Sequence, residues 1–313
     1  MATYLVTGGA GFIGTNIVRE LLQRGENVVV LDNFATGQRE NLADVASDIK
    51  LIEGDIRDQK AVTEAFQGID YVLHQAALRA VERSVDDPLE TNDVNITGTL
   101  NVLLAARDAQ VKRVIFASSS SVYGDVRGEK QVETMPPNPE SPYGLSKLTG
   151  EYYCRLFNKL YDLPTVSLRY FNVFGPYQNP ESKYSAVIPI LVKRLLSGEA
   201  PDIHWDGEQN RDFTYVANVV QANLKAATST AAKMGEVYNI GNGENTSVNE
   251  LYITLQALLG TTVEPKRTAK RPGDVFRTFA DIAKAKADLA YSPDISFTEG
   301  LERSLAWYKK NLS

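Results

Sequence analysis

Apolar residues fall along this chain in two alternating rhythms. Short β-branched runs at 4–7, 27–31, 50–53, 71–74, 113–117 and 165–169 predict strands. Between them, residues 13–23 and 60–66 carry apolar side chains at three- and four-residue spacing, the pattern of amphipathic helices. The longest helical patterns cover 89–109 and 146–161. Strand alternating with helix predicts an α/β protein whose parallel sheet is covered on both faces.

Beyond Arg169 the rhythm loosens. "FNVFGPYQNPES" and "RTAKRPGDV" are rich in turn-forming residues and predict loops. One more strand, 237–240, sits among helices predicted at 216–227, 248–259, 282–289 and 298–310. The pattern predicts a dinucleotide-type domain first and a smaller, interleaved substrate domain later. No internal repeat or low-complexity tract interrupts it.

Composition narrows the classes. The chain has 313 residues, 43% hydrophobic and 23% charged, as a soluble globular protein does. A formal charge of −6 without a basic tail argues against nucleic acid and against an anionic membrane surface. A phosphate ligand must therefore be held by local geometry. The single cysteine, Cys154, excludes an intrachain disulfide and is expected as a small buried apolar group. His74 and His204 cannot make a usual zinc site with one cysteine, so no metal is expected. No apolar run reaches membrane-spanning length and no charged-then-apolar leader precedes Tyr4, so the chain reads as cytoplasmic.

"YLVTGGAGFIG" is a strand, a glycine turn and a helix start. Gly9, Gly11 and Gly14 fit one dinucleotide spacing; Gly8, Gly11 and Gly14 fit another. Either way, glycines let the backbone approach a pyrophosphate, and the helix N-terminus offers free N–H groups. Asp32 lies eighteen residues past Gly14, at the end of the second strand. There it can accept hydrogen bonds from an adenosine ribose and repel a 2′-phosphate, which favours NAD over NADP. Arg39 is the dissenting residue, as a potential partner for that phosphate. In "GDIRD", Asp55 and Ile56 either flank an adenine or form a plain strand-to-helix turn.

"SPYGLSK" sets Tyr143 and Lys147 one helical turn apart. A tyrosine with an ordinary pKa of about 10 is no base at neutral pH. A lysine ammonium beside it, with an oxidised nicotinamide, would favour the phenolate, which can take a proton from an alcohol as hydride leaves the same carbon. The row Ser118 to Ser121 ends the fifth strand, where a parallel sheet faces its ligand crevice.

With these residues together, the chain resembles an extended short-chain dehydrogenase/reductase, and within that group a UDP-sugar 4-epimerase. The resemblance spans nearly the whole chain through "VTGGAGFIG", "HQAA", "SSSSVYGD", "SPYGLSK", "LRYFNVFGP", "RDFTYV", "VYNIGNG" and "RPGDV", in that order. It implies a Rossmann-type, doubly wound parallel sheet. The NAD-binding domain is expected at 1–170, with 211–241 returning to it; the UDP-sugar domain is expected at 171–210 and 242–313.

The resemblance also implies roles. Tyr143 would take the proton from the 4-hydroxyl, assisted by Ser119, with Lys147 binding the nicotinamide ribose and tuning the tyrosine. NAD would be held by Gly8, Gly11, Phe12, Ile13, Asp32, Asn33, Asp55, Ile56, Ala76, Ala77 and Asn95, with Tyr170 near the nicotinamide. Substrate would meet Ser119, Ser120, Ser121, Asn172, Val187, Arg211, Arg271 and Asp274. Thr278 aligns with a gate at the sugar's 2-position, where a bulky tyrosine excludes an N-acetyl group. Threonine leaves room, so UDP-N-acetylglucosamine and UDP-N-acetylgalactosamine are the expected substrates, with UDP-glucose beside them. The chain departs from the family at "IHWDG" (203–207), where relatives often read IYGDG. Arg79, after "HQAAL", is either a cleft residue or an exposed cation.

Three rivals are weighed. A 4,6-dehydratase needs an Asp-Glu pair where this chain has Ser120 and Ser121. A UDP-glucuronate 4-epimerase or decarboxylase needs a cation for the carboxylate, with Arg79 or Lys183 available. A non-catalytic NAD-binding sensor has no need of Tyr143 and Lys147. Relatives pair the two long helices between subunits, so a homodimer is expected.

Overall fold

A computed structural model describes residues 1–126, 130–179, 186–269 and 276–311. The valine- and isoleucine-rich runs form β1 (Thr3–Thr7), β2 (Asn27–Asp32), β3 (Ile49–Glu53), β4 (Tyr71–His74), β5 (Arg113–Ser119) and β6 (Thr165–Tyr170). With the strand Glu236–Ile240 they make one parallel sheet. Its order is Glu236–Ile240, β6, β5, β4, β1, β2, β3. This is a Rossmann-type sheet. The order reverses between β1 and β4, and a ligand crevice opens at such a switch point, outside the carboxyl ends of the strands.

Strand alternation explains why helices cover both faces. Leu5 belongs to one apolar core and Val6 to the other. Helix α1 (Phe12–Gln23) buries Ile17, Val18 and Leu21 on one face. Helix α2 (Gln59–Ala65) is capped by Asp58, which accepts from Lys60 N–H and Ala61 N–H. The buried Cys154 sits in the second core.

The pattern over 89–109 is not one helix. Short helices α3 (Val81–Asp86) and α4 (Pro88–Asn92) lead into a π-helical turn, Asp93–Thr97, before α5 (Gly98–Asp108). The wide turn preserves apolar spacing, so the pattern does not reveal it. Helix α6 (Pro142–Tyr161) begins four residues earlier than its apolar pattern. Ser141 caps it by accepting from Gly144 N–H, and Pro142 supplies a preset first-turn φ. Tyr143 therefore stands in the first turn. Gly150 lets α6 settle onto β5, since a Cβ there would come within 2.3 Å of Phe116.

After β6 come three two-stranded pairs: Val173–Phe174 with Thr214–Tyr215, Asn210–Arg211 with Thr246–Ser247, and Asp202–His204 with Lys266–Thr268. Helix Val216–Thr228 packs against α1, β5 and β6. Helices Val187–Leu196, Val248–Leu259, Ala283–Leu289 and Phe297–Asn311 complete the chain. Among the described residues, no helix is long and apolar enough to cross a membrane.

Candidate active site

At the switch point the chain leaves β1 through Gly8, whose φ is 70°. A Cβ on Gly8 would lie 2.8 Å from the Ala76 backbone, and one on Gly14 would lie 2.1 Å from the Gly8 carbonyl. The turn and the start of α1 are closed to any larger residue. Gly11 caps α1 with no side-chain acceptor, which leaves first-turn N–H groups for a ligand.

Asp32 ends β2 in the cleft wall. Its buried carboxylate accepts from Ala10 N–H at 2.9 Å and Phe34 N–H at 2.8 Å. Burial raises its pKa, and those two bonds oppose the rise. Arg39 is already engaged: it pairs with Glu53 at 2.5 Å and lies 3.9 Å from the Phe34 ring centre. Asn33 donates to Asp55 at 2.8 Å. Arg57 holds the Asp55 carboxyl down at about 2, chiefly through its side-chain hydrogen bonds. Ile56 packs beneath Gly98, where a Cβ would come within 2.6 Å. A glycine cradle, a helix N-terminus and a buried carboxylate at the end of β2 suit NAD, which is the cofactor.

Three residues of the next tier meet beside it. Ser119 ends β5 and accepts from Ser121 N–H at 3.2 Å and Ser121 Oγ at 2.9 Å, so its own proton is free for Tyr143. Burial raises the Tyr143 pKa above that of an ordinary phenol; the Ser119 hydrogen bond and the Arg79 charge lower it. Lys147 Nζ donates to the Ala117 carbonyl at 2.8 Å and lies 5.9 Å from the Tyr143 ring centre. Burial brings its pKa down to about 8. The groups that lower Tyr143 here are thus Ser119 and Arg79. The Lys147 ammonium is turned to the β5 backbone instead.

Ser119 stands opposite Tyr170 in the sheet register. The Tyr170 hydroxyl donates to Gln75 Oε1 at 3.1 Å and accepts from Asn223 Nδ2 at 2.8 Å. Ala76 and Ala77 line the same wall. Asn95 does not. It lies behind the wall, holding Leu78 N–H at 2.7 Å, Leu78 C=O at 3.0 Å and Ser146 Oγ at 3.1 Å.

The cleft has a volume of about 1040 Å³ and runs on from Tyr143 to the later elements. Ser120, Ser121, Asn172, Val187, Arg211 and Thr278 line it together with the residues above. Arg211 donates to the Asn210 and Phe276 carbonyls at 2.7 and 3.2 Å. His204 also lines it, with Nδ1 2.6 Å from Thr268 Oγ1. Trp205 stands outside, half exposed, with its ring edge-on to Phe276. Arg271, Asp274 and Lys183 lie outside the described residues. Arg79 is in the cleft wall, walled by protein yet open to solvent on the cleft side. Gln75, inside "HQAA", and Asn223 fix Tyr170, a role the sequence reading does not assign them.

Together the sheet, the glycine cradle and the serine–tyrosine–lysine tier define an NAD-dependent enzyme of the extended short-chain dehydrogenase/reductase class. The chain belongs to the NAD dependent epimerase/dehydratase family, whose model matches residues 4–241, and within it to the UDP-sugar 4-epimerase type. It is 40% identical over 309 residues to a putative UDP-glucose 4-epimerase of Methanocaldococcus jannaschii, covering 98% of each chain. Among solved structures it resembles the UDP-glucose 4-epimerase of Thermotoga maritima with UDP-glucose (TM-score 0.94, 38% identity, 99% and 100% covered). It resembles equally the UDP-N-acetylglucosamine 4-epimerase of Methanobrevibacter ruminantium in complex with UDP-N-acetylmuramic acid (TM-score 0.94, 37% identity, 99% and 98% covered).

Proposed function

We propose that this protein inverts carbon 4 of UDP-N-acetylglucosamine and UDP-N-acetylgalactosamine, and that it also accepts UDP-glucose and UDP-galactose. The observation that carries the reading is the Ser119–Tyr143–Lys147 tier, opening onto one cleft with Asn172, Arg211 and Thr278. Gly8, Gly11, Phe12, Ile13, Asp32 and Asn33 would hold the cofactor's adenosine and diphosphate, and Tyr143, Lys147 and Tyr170 its nicotinamide end. When bound, NAD supplies the acceptance of hydride from carbon 4 and its return to the opposite face of a transient 4-keto sugar.

The protein's own part is proton transfer and aim. Tyr143 takes the proton of the 4-hydroxyl and gives it back after the sugar turns. Ser119 donates to the oxygen that carries developing charge, which is worth most in a desolvated site. Arg79 sets a positive field at the phenol, and Lys147, held by the Ala117 carbonyl, is placed for the nicotinamide ribose. Arg211 offers a cation for the diphosphate. Thr278 is small at the sugar's 2-position. Ser120 and Ser121 place hydroxyls where a dehydratase needs an acid and a base.

The test is incubation of purified protein with UDP-N-acetylglucosamine, with and without added NAD, and NMR assay for the galacto isomer. No isomer from NAD-loaded protein overturns the reading. Arg79 favours one alternative, a UDP-glucuronate 4-epimerase, because its cation stands in the cleft near Tyr143. Turnover of UDP-glucuronate in preference to both hexosamines would establish that instead.

We further propose a homodimer. Leu145, Tyr152, Leu156 and Leu160 expose one side of α6, and Val85 and Leu89 are exposed on the adjoining α3 and α4. A second copy burying this face by helix–helix packing should sediment as a dimer, and Leu156→Glu should yield monomer.

A further inference from the structure

A second layer of polar residues lies behind Tyr143 and Lys147, and the mechanism above does not use it. Helix α6 presents Tyr143, Lys147 and Glu151 at four-residue intervals, so all three share a face. Strand β5 answers with three consecutive residues. The Ser119 hydroxyl faces Tyr143 and lowers its pKa, the Ala117 carbonyl accepts from Lys147 at 2.8 Å, and the Ser118 hydroxyl donates to Glu151 Oε1 at 2.5 Å. Strand β6 adds Arg169, next to Tyr170, which grips both Glu151 oxygens at 2.8 and 2.7 Å. The side chains of this pair are only 4% and 3% exposed. Arg169 in turn lies 4.6 Å from the Tyr123 ring centre, and Tyr123 donates to Asn239 at 2.7 Å.

Stability alone does not account for such a pair, since apolar residues of like volume commonly serve as well. Its position does. Glu151 lies one helix turn from Lys147, and Arg169 precedes Tyr170 at the cleft. We propose that Glu151 is a positioning residue for the epimerase reaction: clamped by Arg169 and Ser118, it fixes α6 against β5 and β6 and is the buried counter-charge to the Lys147 ammonium one turn away. This rests on the reading of Tyr143 and Lys147 given above.

The charges around Lys147 support the assignment. Tyr143, Glu151 and Cys154 face it from α6, His74 from β4, and Arg169 from β6 behind Glu151. Burial keeps His74 neutral and pushes the Cys154 thiol up to about 12. Of the groups in this set, Glu151 alone carries a formal negative charge at neutral pH. Burial lowers the Lys147 pKa; Cys154 and Glu151 oppose the fall.

The experiment compares wild-type holoenzyme with Glu151→Gln, which keeps the shape and removes the charge. Two readouts are taken: NMR titration of labelled Lys147, and the pH profile of kcat. In the variant the Lys147 midpoint should drop by about one pH unit, and kcat at pH 7 should fall about twofold, as the ammonium goes from about nine-tenths to about half populated, with KM changed less than twofold. An unmoved midpoint in folded protein overturns the proposal. If Glu151→Gln does not fold, Ser118→Ala decides, since it removes one hydrogen bond to Glu151 Oε1 and leaves the ion pair. Because Arg169 Nε still holds Oε1, it should lose about 3- to 10-fold in kcat at constant KM, in line with one lost hydrogen bond of the two to that oxygen; full kcat overturns the clamp. The NMR readout needs no turnover, so failure here is separable from failure of the proposed substrate.

Discussion

Thr278 donates its hydroxyl to the Asn172 side-chain carbonyl at 2.6 Å, joining segments 106 positions apart across the cleft. With that oxygen occupied, the Asn172 amide N–H groups are the ones left to meet a ligand. Asn172 has φ of 30°, a left-handed geometry that asparagine tolerates better than most residues. Thr278→Val keeps the volume and frees the amide, so KM for UDP-N-acetylglucosamine should rise about 3- to 10-fold with kcat little changed. Thr278→Tyr should confine turnover to UDP-glucose and UDP-galactose. Steady-state kinetics on both sugar pairs provide the check. Undiminished hexosamine turnover by Thr278→Tyr would remove the argument from pocket size.

Tyr143→Phe should lower kcat by about 10²- to 10⁴-fold, the usual worth of a positioned acid/base group. The phenyl ring keeps the packing, so the fold and the bound NAD should survive. Both are measurable, by circular dichroism and by cofactor released on denaturation. Full turnover in this variant leaves the mechanism without its base.

Arg79 gives a pH test. Its charge is one of the two groups that lower the Tyr143 pKa against the larger effect of burial. Arg79→Gln removes that help, so Tyr143 should ionise at higher pH. The acid limb of the kcat profile should move toward alkaline pH, with the lost rate regained only as the pH passes the displaced midpoint. A profile that falls uniformly, without moving, points to Arg79 acting on substrate alone.

On the proposed reading, cofactor choice follows from two carboxylates: Asp32 would repel a 2′-phosphate, and Glu53 pairs with Arg39, the cation that would otherwise welcome one. Asp32→Gly alone should therefore weaken NAD binding without gaining NADP. The pair Asp32→Gly with Glu53→Ala should release Arg39 and allow NADP to bind. Titration of both cofactors onto stripped protein is the measurement; strong NADP binding by the single variant would show that Glu53 does not restrain Arg39.

Some of this was legible in the chain and some was not, for physical reasons. The β-branched runs report strands buried on both faces, so the sheet strands were readable. Gly8, Gly14 and Asp32 stand where the backbone and a ribose demand a residue type, and that shows in spacing alone. The Asp93–Thr97 π turn keeps the apolar rhythm and hides inside it. Asn95, a cofactor residue by resemblance, lies in that turn and spends its amide on Leu78 and Ser146. Glu151, four residues after Lys147, looks like half of a solvent-facing pair. Its burial depends on Arg169, eighteen positions on, which no local pattern foretells. The two-residue strands after Phe171 exist only through long-range pairing.

His74 supplies a stability test. It is buried at the end of β4, with Nδ1 2.6 Å from Thr7 Oγ1 and Nε2 3.0 Å from Thr99 Oγ1. Thr99 donates its own proton to the Asn95 carbonyl at 2.7 Å, so it accepts from Nε2–H, and Thr7 donates to Nδ1. A neutral imidazole satisfies both sites; a second ring proton would face a donor. Burial, with the Lys147 charge second, lowers the pKa from 6.5 to about 3. The unfolded chain titrates this residue near 6.5, so between there and about 3 the unfolded state binds more protons. The contribution is fully present above pH 6.5 and is lost as pH falls through that window. Thermal unfolding should show Tm dropping from pH 7 to pH 4.5. His74→Gln should be less stable at pH 7, by roughly 1–3 kcal/mol for a disrupted buried hydrogen-bond pair, yet lose less over the same range. Parallel losses in the two proteins would mean that the imidazole is not what acid attacks first.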